Sequence, residues 1–312
     1  LVSPLSLAAS RSVLTVVQPF RAHAVSRPRA LLAVGGPGAI SIFSLQTGTK
    51  IAQLNQIRSN IGSLDFHPSQ PILLIGGTDS RVYRWRYLMD PGRRRTRDER
   101  KVLERYVGHG SAVSGLAHHY HGRVFFSVDW QGELAAWLSY DSDAHGGQYD
   151  ENMFGARYFG QRATRIVARG DAADSIDHIQ IGSDSEFLYL GLRSGAIQVW
   201  RVRGLKKIAQ VAAHTRQIYD LSVAPSGRNI CSVGRDGYVK VWRLVKEESE
   251  SPQLELIHST EQKHARVLSC LSDQRMIVGM STGKLLIIAN WQEAEQKTKQ
   301  ATEQNPEGVS GD

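Results

Sequence analysis

The sequence predicts an all-β fold built from repeated four-stranded antiparallel units. The main observation is a short phrase, a tight turn followed by a strand, that recurs six times along the 312 residues. A second observation is that further short β-rich runs precede and follow the copies. Repeats with a period of about 20 to 50 residues are typical of folds in which similar units stack side by side.

The recurring phrase alternates in polarity and ends in a large apolar residue, which is Trp in four copies. Its second residue is Gly in five copies, as expected for a hairpin turn that needs a positive φ angle. The copies are PGAISIF (37–43), DSRVYRW (79–85), QGELAAW (131–137), SGAIQVW (194–200), DGYVKVW (236–242) and TGKLLII (282–288). Successive last residues are 42, 52, 63, 42 and 46 positions apart, so the unit contains two large insertions.

Each unit also contains a second β-rich run such as NICSVG, a third such as IYDLSV and often a fourth such as KIAQV. Four short antiparallel strands per unit are typical of a β-propeller blade. We therefore expect six blades in one domain over residues 1–290, followed by a polar tail at 291–312 that is helical or disordered. The sixth unit has no fourth strand of its own. The apolar segment Leu5 to Ala9 is expected to supply it, because closing the ring removes exposed sheet edges; a seventh blade from missing residues or another chain is the alternative.

The fifth unit resembles the repeat of the WD-repeat β-propeller family, and the resemblance covers roughly residues 5–290. That repeat combines a His before the first strand, a Ser or Thr in the second, an Asp in the tight turn and a Trp in the third. The resemblance implies a structural role for these residues and a scaffold that holds other proteins together. The matching residues are His214, Ser232, Asp236 and Trp242 in unit five, His109, Ser127 and Trp137 in unit three with Gln131 at the Asp position, Asp79 and Trp85 in unit two, Trp200 in unit four and, as a candidate His, His264 in unit six.

The two insertions are the strongest departures from the repeat. They lie at 86–105 and 138–162, each after the third strand of its unit, so both should emerge on one face of the ring. The segment from Arg81 to Arg105, which includes the first insertion, accounts for most of the formal charge of +8, because it contains ten Lys/Arg and four Asp/Glu. Long loops on rigid scaffolds often carry binding functions.

Three interpretations of these loops remain open. They could be solvated or paired with each other, they could form a protein-docking patch, or the basic loop could bind nucleic acid or an anionic lipid surface. A non-catalytic protein-interaction scaffold is our first hypothesis, and nucleic-acid or anionic-surface binding through 86–105 is the alternative. The candidate partner-binding residues are Arg93, Arg94, Arg95, Arg97, Tyr149, Phe154, Tyr158 and Phe159.

No enzymatic motif, cofactor site or metal site is predicted. The sequence contains no GxSxG, HExxH or phosphate-binding loop, and the GGPGAI stretch falls at a hairpin turn of the repeat. The HHYH cluster at 118–121 aligns with a strand end and a turn, so we expect surface histidines rather than metal ligands. Cys231 and Cys270 lie in apolar strand-like runs and are expected to be buried, reduced thiols.

The sequence also bears on location. No apolar run approaches the ~20 residues of a membrane-spanning helix. The opening stretch LVSPLSLAASRSVLTVV lacks the basic leader and continuous apolar segment of a signal peptide. We therefore expect an intracellular, cytoplasmic protein.

Overall fold

The computed structural model describes residues 22–87, 103–139, 166–245 and 252–289. All regular structure in these ranges is β, in 23 strands that form six antiparallel sheets. Within the same ranges there is no helix with the length and apolar character needed to cross a membrane. The candidate partner-binding residues, the Leu5 to Ala9 segment and the 291–312 tail lie outside the described residues.

The first three sheets are complete four-stranded blades. Blade 1 consists of β1 (Ala22–Ser26), β2 (Leu31–Gly35), β3 (Ile40–Ser44) and β4 (Lys50–Leu54). Blade 2 consists of β5 (Ile61–Phe66), β6 (Ile72–Gly77), β7 (Arg81–Arg86) and β8 (Leu103–Val107). Blade 3 consists of β9 (Val113–His118), β10 (Val124–Asp129), β11 (Glu133–Leu138) and β12 (Ile166–Asp171).

Two further sheets are complete, and the last has three described strands. Blade 4 consists of β13 (Ile176–Ile181), β14 (Phe187–Leu192), β15 (Ala196–Arg201) and β16 (Lys206–Ala212). Blade 5 consists of β17 (Ile218–Val223), β18 (Asn229–Gly234), β19 (Tyr238–Val245) and β20 (Gln253–Glu261). Blade 6 consists of β21 (Ala265–Ser272), β22 (Arg275–Met280) and β23 (Leu285–Ala289).

The six sheets are arranged in a ring, and the predicted six-bladed β-propeller is confirmed. Each blade has the order first-second-third-fourth strand, and the first strands of successive blades lie against one another around the axis. The tight turn before each third strand has a positive φ angle in every blade, including 64° at Ser80, the one copy without Gly. A turn of this kind matches the right-handed twist of the two strands that it joins.

Apolar side chains fill five of the interfaces between neighbouring blades, which we call seams. The last residue of the repeat phrase packs into the seam that precedes its own blade. Trp85, Trp137, Trp200 and Trp242 occupy four successive seams in this way and are at most 4% exposed. Burial of such large rings contributes about 25 cal/mol per Å² of apolar surface removed from water.

The seam between blade 6 and blade 1 differs from the other five. In the described part of the chain no apolar cluster joins these two blades, and Phe43, the equivalent of the Trp residues, is only half-buried. The side of blade 6 that turns away from blade 5 exposes Val267, Leu271, Leu285 and Ile287 by 45 to 76%. Arg27 still reaches across, where its guanidinium donates to the Cys270 carbonyl at 3.4 Å.

The topology defines two faces of the ring. The axial face carries the connections from each fourth strand to the next blade and the turns between second and third strands. The opposite face carries the remaining connections. The two insertions join β7 to β8 and β11 to β12, so their attachment points lie on the opposite face of adjacent blades.

Candidate interaction face

The repeat residues of blade 5 form one hydrogen-bonded row. The Nδ1 of His214 lies 2.9 Å from an Asp236 oxygen, and its Nε2 lies 2.8 Å from the Ser232 hydroxyl. The indole N–H of Trp242 donates to the same hydroxyl at 3.0 Å. All four polar groups thereby find partners inside the blade, as buried polar groups generally must.

Blade 3 forms the same row with a different acid. His109 and Trp137 converge on the Ser127 hydroxyl at 2.5 and 2.6 Å. Two carboxylates lie near His109 Nδ1, Asp129 at 3.4 Å and Glu133 at 3.5 Å, whereas Gln131 at the aligned turn position does not take this role. Asp129 is the last residue of β10 and is fully buried. It lies two residues before Gln131, and its side chain approaches His109 from that position.

Asp129 also organises the turn that follows it. It accepts hydrogen bonds from the backbone N–H groups of Ser111, Gln131 and Glu133. Although burial opposes ionisation, the His109 side chain and these N–H donors lower the pKa of Asp129 overall. His109, Asp129 and Glu133 form the one group of three potential metal ligands in the described ranges. The hydrogen bonds to Asp129 give this group a structural explanation, and we do not assign a metal to it.

Blades 4 and 6 depart further from the repeat. In blade 4 the buried Gln198 replaces the hydroxyl, because its side-chain oxygen accepts from the Trp200 indole N–H at 2.9 Å. In blade 6, His264 does not occupy the repeat's His position. The backbone N–H of Ser281 donates to the His264 carbonyl, and in blade 5 the backbone N–H of Arg235 donates to the Gln217 carbonyl. His264 is therefore the counterpart of Gln217. Its side chain is exposed.

The His cluster at 118–121 also differs from the expectation of surface histidines. His118 and His119 are 7% and 4% exposed. The predicted strand end and turn are correct, but the end of β9 lies against blade 2, where the Asp65 carboxylate meets His118 Nδ1 at 2.7 Å. Burial, together with the neighbouring His121, lowers the pKa of His119 to about 4.

A β-bulge recurs at the second residue of five of the described first strands. The register shifts fall around Gly62, Ser114, Asp177, Tyr219 and Arg266, which therefore occupy equivalent positions in blades 2 to 6. Bulges re-aim the side chain of the extra residue and often lie beside functional sites. These residues lie at the start of their first strands, next to the axial face.

Four of these bulge residues line a cavity of about 190 Å³, which we call the axial mouth. The cavity involves four consecutive blades, 2 to 5, and combines small, polar and aromatic side chains. Its full lining is Gly62, Thr78, Val113, Ser114, Trp130, Asp177, His178, Gln217, Ile218 and Tyr219.

One polar network fixes the wall of the axial mouth. Asp177 accepts from the Arg193 guanidinium at 2.9 Å and from the Gln217 side-chain amide at 2.9 Å. The Arg193 guanidinium lies 5.7 Å from the ring centre of Trp130, within cation–π distance. The hydrogen bond to Asp177 raises the pKa of Arg193, so this side chain stays charged. Trp130 and Arg193 nevertheless remain 48% and 49% exposed and can contact a partner.

The connections of the axial face carry a net positive charge, while the strand ends beside them add acidic residues such as Asp171, Asp177 and Glu261. In the described ranges these connections contain six Arg/Lys and three Asp. The three Asp, at positions 79, 174 and 236, all accept hydrogen bonds from their own surroundings. The basic residues are all exposed: Arg58, Arg193, Arg216, Arg235, Lys263 and Lys284.

The axial mouth was not predicted from the sequence, although the repeat contains a signal for it. The residue before each copy of the phrase is Gly36, Thr78, Trp130, Arg193, Arg235 or Ser281, so a large aromatic and two Arg stand where other copies have small residues. Aligning that position across the repeats identifies Trp130 and Arg193 as unusual. Asp177 carries no such signal, because its role depends on a bulge that has no sequence motif.

Comparison with known proteins agrees with the architecture. The family model "WD domain, G-beta repeat" matches residues 48–86 and 205–243. The chain is 30% identical over 89 residues to the nuclear distribution protein nudF of Aspergillus terreus, covering 28% of this chain and 18% of nudF. It is 21% identical over 241 residues to the B-type cell cycle switch protein ccs52A of Medicago truncatula, covering 68% of this chain and 48% of ccs52A. The chain thus spans less than half the length of these curated relatives.

Two solved structures show the same fold. A chain of the crystal structure of the mitotic checkpoint complex superposes with a TM-score of 0.65 at 16% identity, covering 86% of this chain and 73% of that one. The Cps50 (Swd1) β-propeller domain of Myceliophteria thermophila superposes with a TM-score of 0.65 at 11% identity, covering 88% and 83%.

The chain is a repeat protein of the β-propeller class. This follows from its fold, from the hydrogen-bonded rows of repeat residues and from the match to the family model. More specifically, residues 48–86 and 205–243 match the repeat of the WD-repeat family, and the two solved structures share the β-propeller fold.

Proposed function

We propose that the protein is a non-catalytic scaffold that docks partner proteins through its propeller faces and the two long loops at 86–105 and 138–162. Within this function, we assign to the axial face the binding of an acidic segment of a partner protein. The observation that carries the assignment is the network of Trp130, Arg193 and Asp177, which holds an exposed aromatic and an exposed cation at the mouth of the axis.

The size and lining of the axial mouth favour a protein segment over a small molecule. Pockets for drug-sized ligands are usually about 300 to 1,000 Å³ and mostly apolar. This cavity of about 190 Å³ is smaller and partly polar. It suits one or two side chains of a partner whose remaining contacts spread over the surrounding connections. Trp130 and Tyr219 line this mouth, and Arg193 bonds to its Asp177. Trp, Tyr and Arg are the residues most often found at the energetic centres of protein interfaces.

The charge of the axial face specifies the chemistry of that segment. The three Asp of the connections accept hydrogen bonds within the protein, and the six Arg/Lys are exposed, although Arg193 also pairs with Asp177 and Lys263 with Glu261. An acidic segment would therefore meet an excess of positive charge in these connections, which speeds encounter and excludes basic competitors.

Substitution of the mouth residues tests this function. Proteins captured from a cell extract on the immobilised chain would be quantified by mass spectrometry for wild type, Trp130→Ala and Arg193→Glu. We expect both substitutions to reduce capture of the same partner by about tenfold or more, corresponding to ~1.4 kcal/mol. The partner's most acidic segment, made as a peptide, should compete for binding and should bind more weakly as salt rises.

Arg228→Glu is the matched control, because Arg228 is an exposed arginine in the β17–β18 turn on the opposite face. It introduces the same charge change without touching the axial mouth. Equal loss of capture in Arg193→Glu and Arg228→Glu would contradict the assignment to the axial face, as would unchanged capture by Arg193→Glu and Trp130→Ala. Thermal unfolding of each variant verifies that the ring remains folded.

The two long loops are the second part of the proposal. Their attachment points lie on the opposite face of adjacent blades; in sequence, 86–105 contains a cluster of arginines and 138–162 contains several aromatic residues. A triple substitution of Arg93, Arg94 and Arg95 by Glu is expected to abolish capture of a partner that depends on this face. Unchanged capture would remove the basic loop from the proposal.

Nucleic-acid or anionic-surface binding through 86–105 remains the alternative, favoured by the net charge of +6 over Arg81 to Arg105. Its signature is binding that falls steeply with salt. Binding of duplex or single-stranded DNA or RNA, or of phosphatidylserine vesicles, at low salt would support it, and no binding to any of these would exclude it.

A further inference from the structure

Cys231 and Cys270 face each other across the seam between blades 5 and 6. Cys231 lies in β18 and Cys270 in β21, and they are 0% and 1% exposed. Their Sγ atoms are 2.7 Å apart. Even carbon atoms, which are smaller than sulfur, make contact at ~3.5–4.0 Å. The sulfurs of a disulfide are separated by ~2.05 Å, so about 0.7 Å separates this arrangement from a covalent bond.

Strand pairing and a backbone hydrogen bond place both cysteines next to Ser222. Ser222 of β17 pairs with Cys231 in the sheet register of blade 5. Its hydroxyl accepts the Cys270 N–H at 3.0 Å, and its carbonyl lies 3.4 Å from the Cys270 sulfur. The meeting of the two thiols is therefore fixed by strand pairing within blade 5 and by a hydrogen bond between blades. It does not depend on the rotamer of an exposed side chain.

We propose that Cys231 and Cys270 form an intrachain disulfide that covalently joins blades 5 and 6. The oxidant is a low-molecular-weight disulfide such as oxidised glutathione. The Cys270 thiolate attacks it, forms a mixed disulfide and releases one small thiolate. The Cys231 thiolate then attacks the Cys270 sulfur, forms the protein disulfide and displaces the second small thiolate. Two electrons pass to the small disulfide, and the two protons lost by the cysteines are taken up by the released thiolates.

The bond forms when the seam is open, either during folding or by local opening of blade 6. In the closed seam the sulfurs are inaccessible, and the hydrogen bond to Cys270 together with burial raises the pKa of Cys231 well above its usual range. Blade 6 is suited to opening because one side of it is exposed at Val267, Leu285 and Ile287. Segments with few buried apolar contacts open at lower free energy than the rest of a protein.

The disulfide would stabilise blade 6, the last blade that the structure describes. The cysteines are 39 positions apart, so the bond closes a long loop in the unfolded chain and reduces the conformational entropy gained on unfolding. We expect the midpoint of thermal unfolding to rise by about 5 °C or more in the oxidised protein.

The test uses the full chain, which contains two cysteines in total. The folded protein is incubated with oxidised glutathione or with dithiothreitol, then unfolded in the presence of an alkylating reagent and analysed by mass spectrometry. We expect the oxidised sample to lose two hydrogen atoms, to take up no alkyl group and to yield one peptide pair joined through Cys231 and Cys270. Dithiothreitol should restore two alkylated cysteines and lower the unfolding midpoint.

Cys231→Ala and Cys270→Ala serve as matched controls, and their unfolding midpoints should not respond to the redox reagent. Alkylation of both wild-type cysteines after treatment with oxidised glutathione would overturn the proposal. Recovery of glutathione adducts alone, or of disulfides between two chains, would overturn it as well. The wild-type mass measurement decides the question even if a variant fails to fold.

Discussion

At the scale of single residues, the Ser127 hydroxyl joins two buried neighbours in blade 3. It lies 2.5 Å from His109 Nε2 and 2.6 Å from the Trp137 indole nitrogen, and all three residues are at most 8% exposed. Because these groups are buried, loss of the hydroxyl leaves two polar groups without their partner. Each such group costs about 1 to 3 kcal/mol.

Ser127→Ala is therefore expected to lower the free energy of unfolding by about 2 to 3 kcal/mol. The measurement is urea-induced unfolding followed by tryptophan fluorescence. Ser183→Ala, an exposed serine in the β13–β14 turn, is the control and should change stability by less than ~0.5 kcal/mol. Equal effects of the two substitutions would show that the hydrogen-bonded row of blade 3 does not stabilise the ring.

His67 makes the stability of the ring depend on pH. Its Nδ1 accepts the backbone N–H groups of Ser69 and Gln70, so the proton lies on Nε2, which donates to the Gly122 carbonyl at 3.1 Å. Burial, reinforced by the nearby His118, lowers the pKa of His67 to about 3, against 6.5 for an unperturbed histidine. The unfolded chain therefore binds a proton in this range that the folded chain does not.

The contribution of His67 to stability is complete above pH 6.5 and is lost progressively as the pH falls toward 3. The expected loss from this residue between pH 7.5 and pH 5 is about 2 kcal/mol. Urea unfolding across this range measures the total change, and a histidine NMR titration isolates His67, whose resonance should not titrate above pH 4. Titration of His67 near pH 6.5 would contradict this account of its environment.

At the scale of elements, the fourth strand of blade 6 is the part of the fold that still has to be identified. In the described blades, three to six residues separate a fourth strand from the first strand of the next blade. Since β1 begins at Ala22, a closing strand from the N-terminal segment with this spacing is predicted to end between residues 15 and 18. The run Val13 to Val17, VLTVV, fits this spacing better than Leu5 to Ala9.

Two N-terminal truncations separate these possibilities. Removal of residues 1–11 should leave the thermal unfolding midpoint almost unchanged, whereas removal of residues 1–18 should lower it and promote self-association through the edge of β23. Thermal unfolding and size-exclusion chromatography measure the two effects. A large loss of stability on removal of residues 1–11 would support Leu5 to Ala9 as the closing strand.

The repeat made most elements predictable from the sequence. A turn that requires positive φ, alternating polarity and a terminal Trp are local features, and each predicted third strand is present. Features that depend on contacts between residues distant in the sequence were not predictable. The His118 ring is buried because Asp65 of another blade meets it, and Asp129 replaces Gln131 because a strand-end side chain can reach the same His. The axial mouth depends on bulges, which shift the register without changing the polarity pattern.

At the scale of the whole molecule, the ring gives its two faces different properties. The axial face presents a formed cavity, a cation held by a carboxylate and an excess of positive charge in its connections. The opposite face carries the attachment points of both insertions. The proposed function assigns a partner-binding role to each of these faces.

The central claim is that a partner binds at the axial face, and hydrogen–deuterium exchange of the chain with and without a captured partner tests it most directly. We expect slower exchange in the axial connections at 130–132, 193–195 and 213–217, with unchanged exchange in the turns at 27–30 and 224–228 on the opposite face. Protection confined to those opposite turns, or no protection in the axial connections, would contradict the claim.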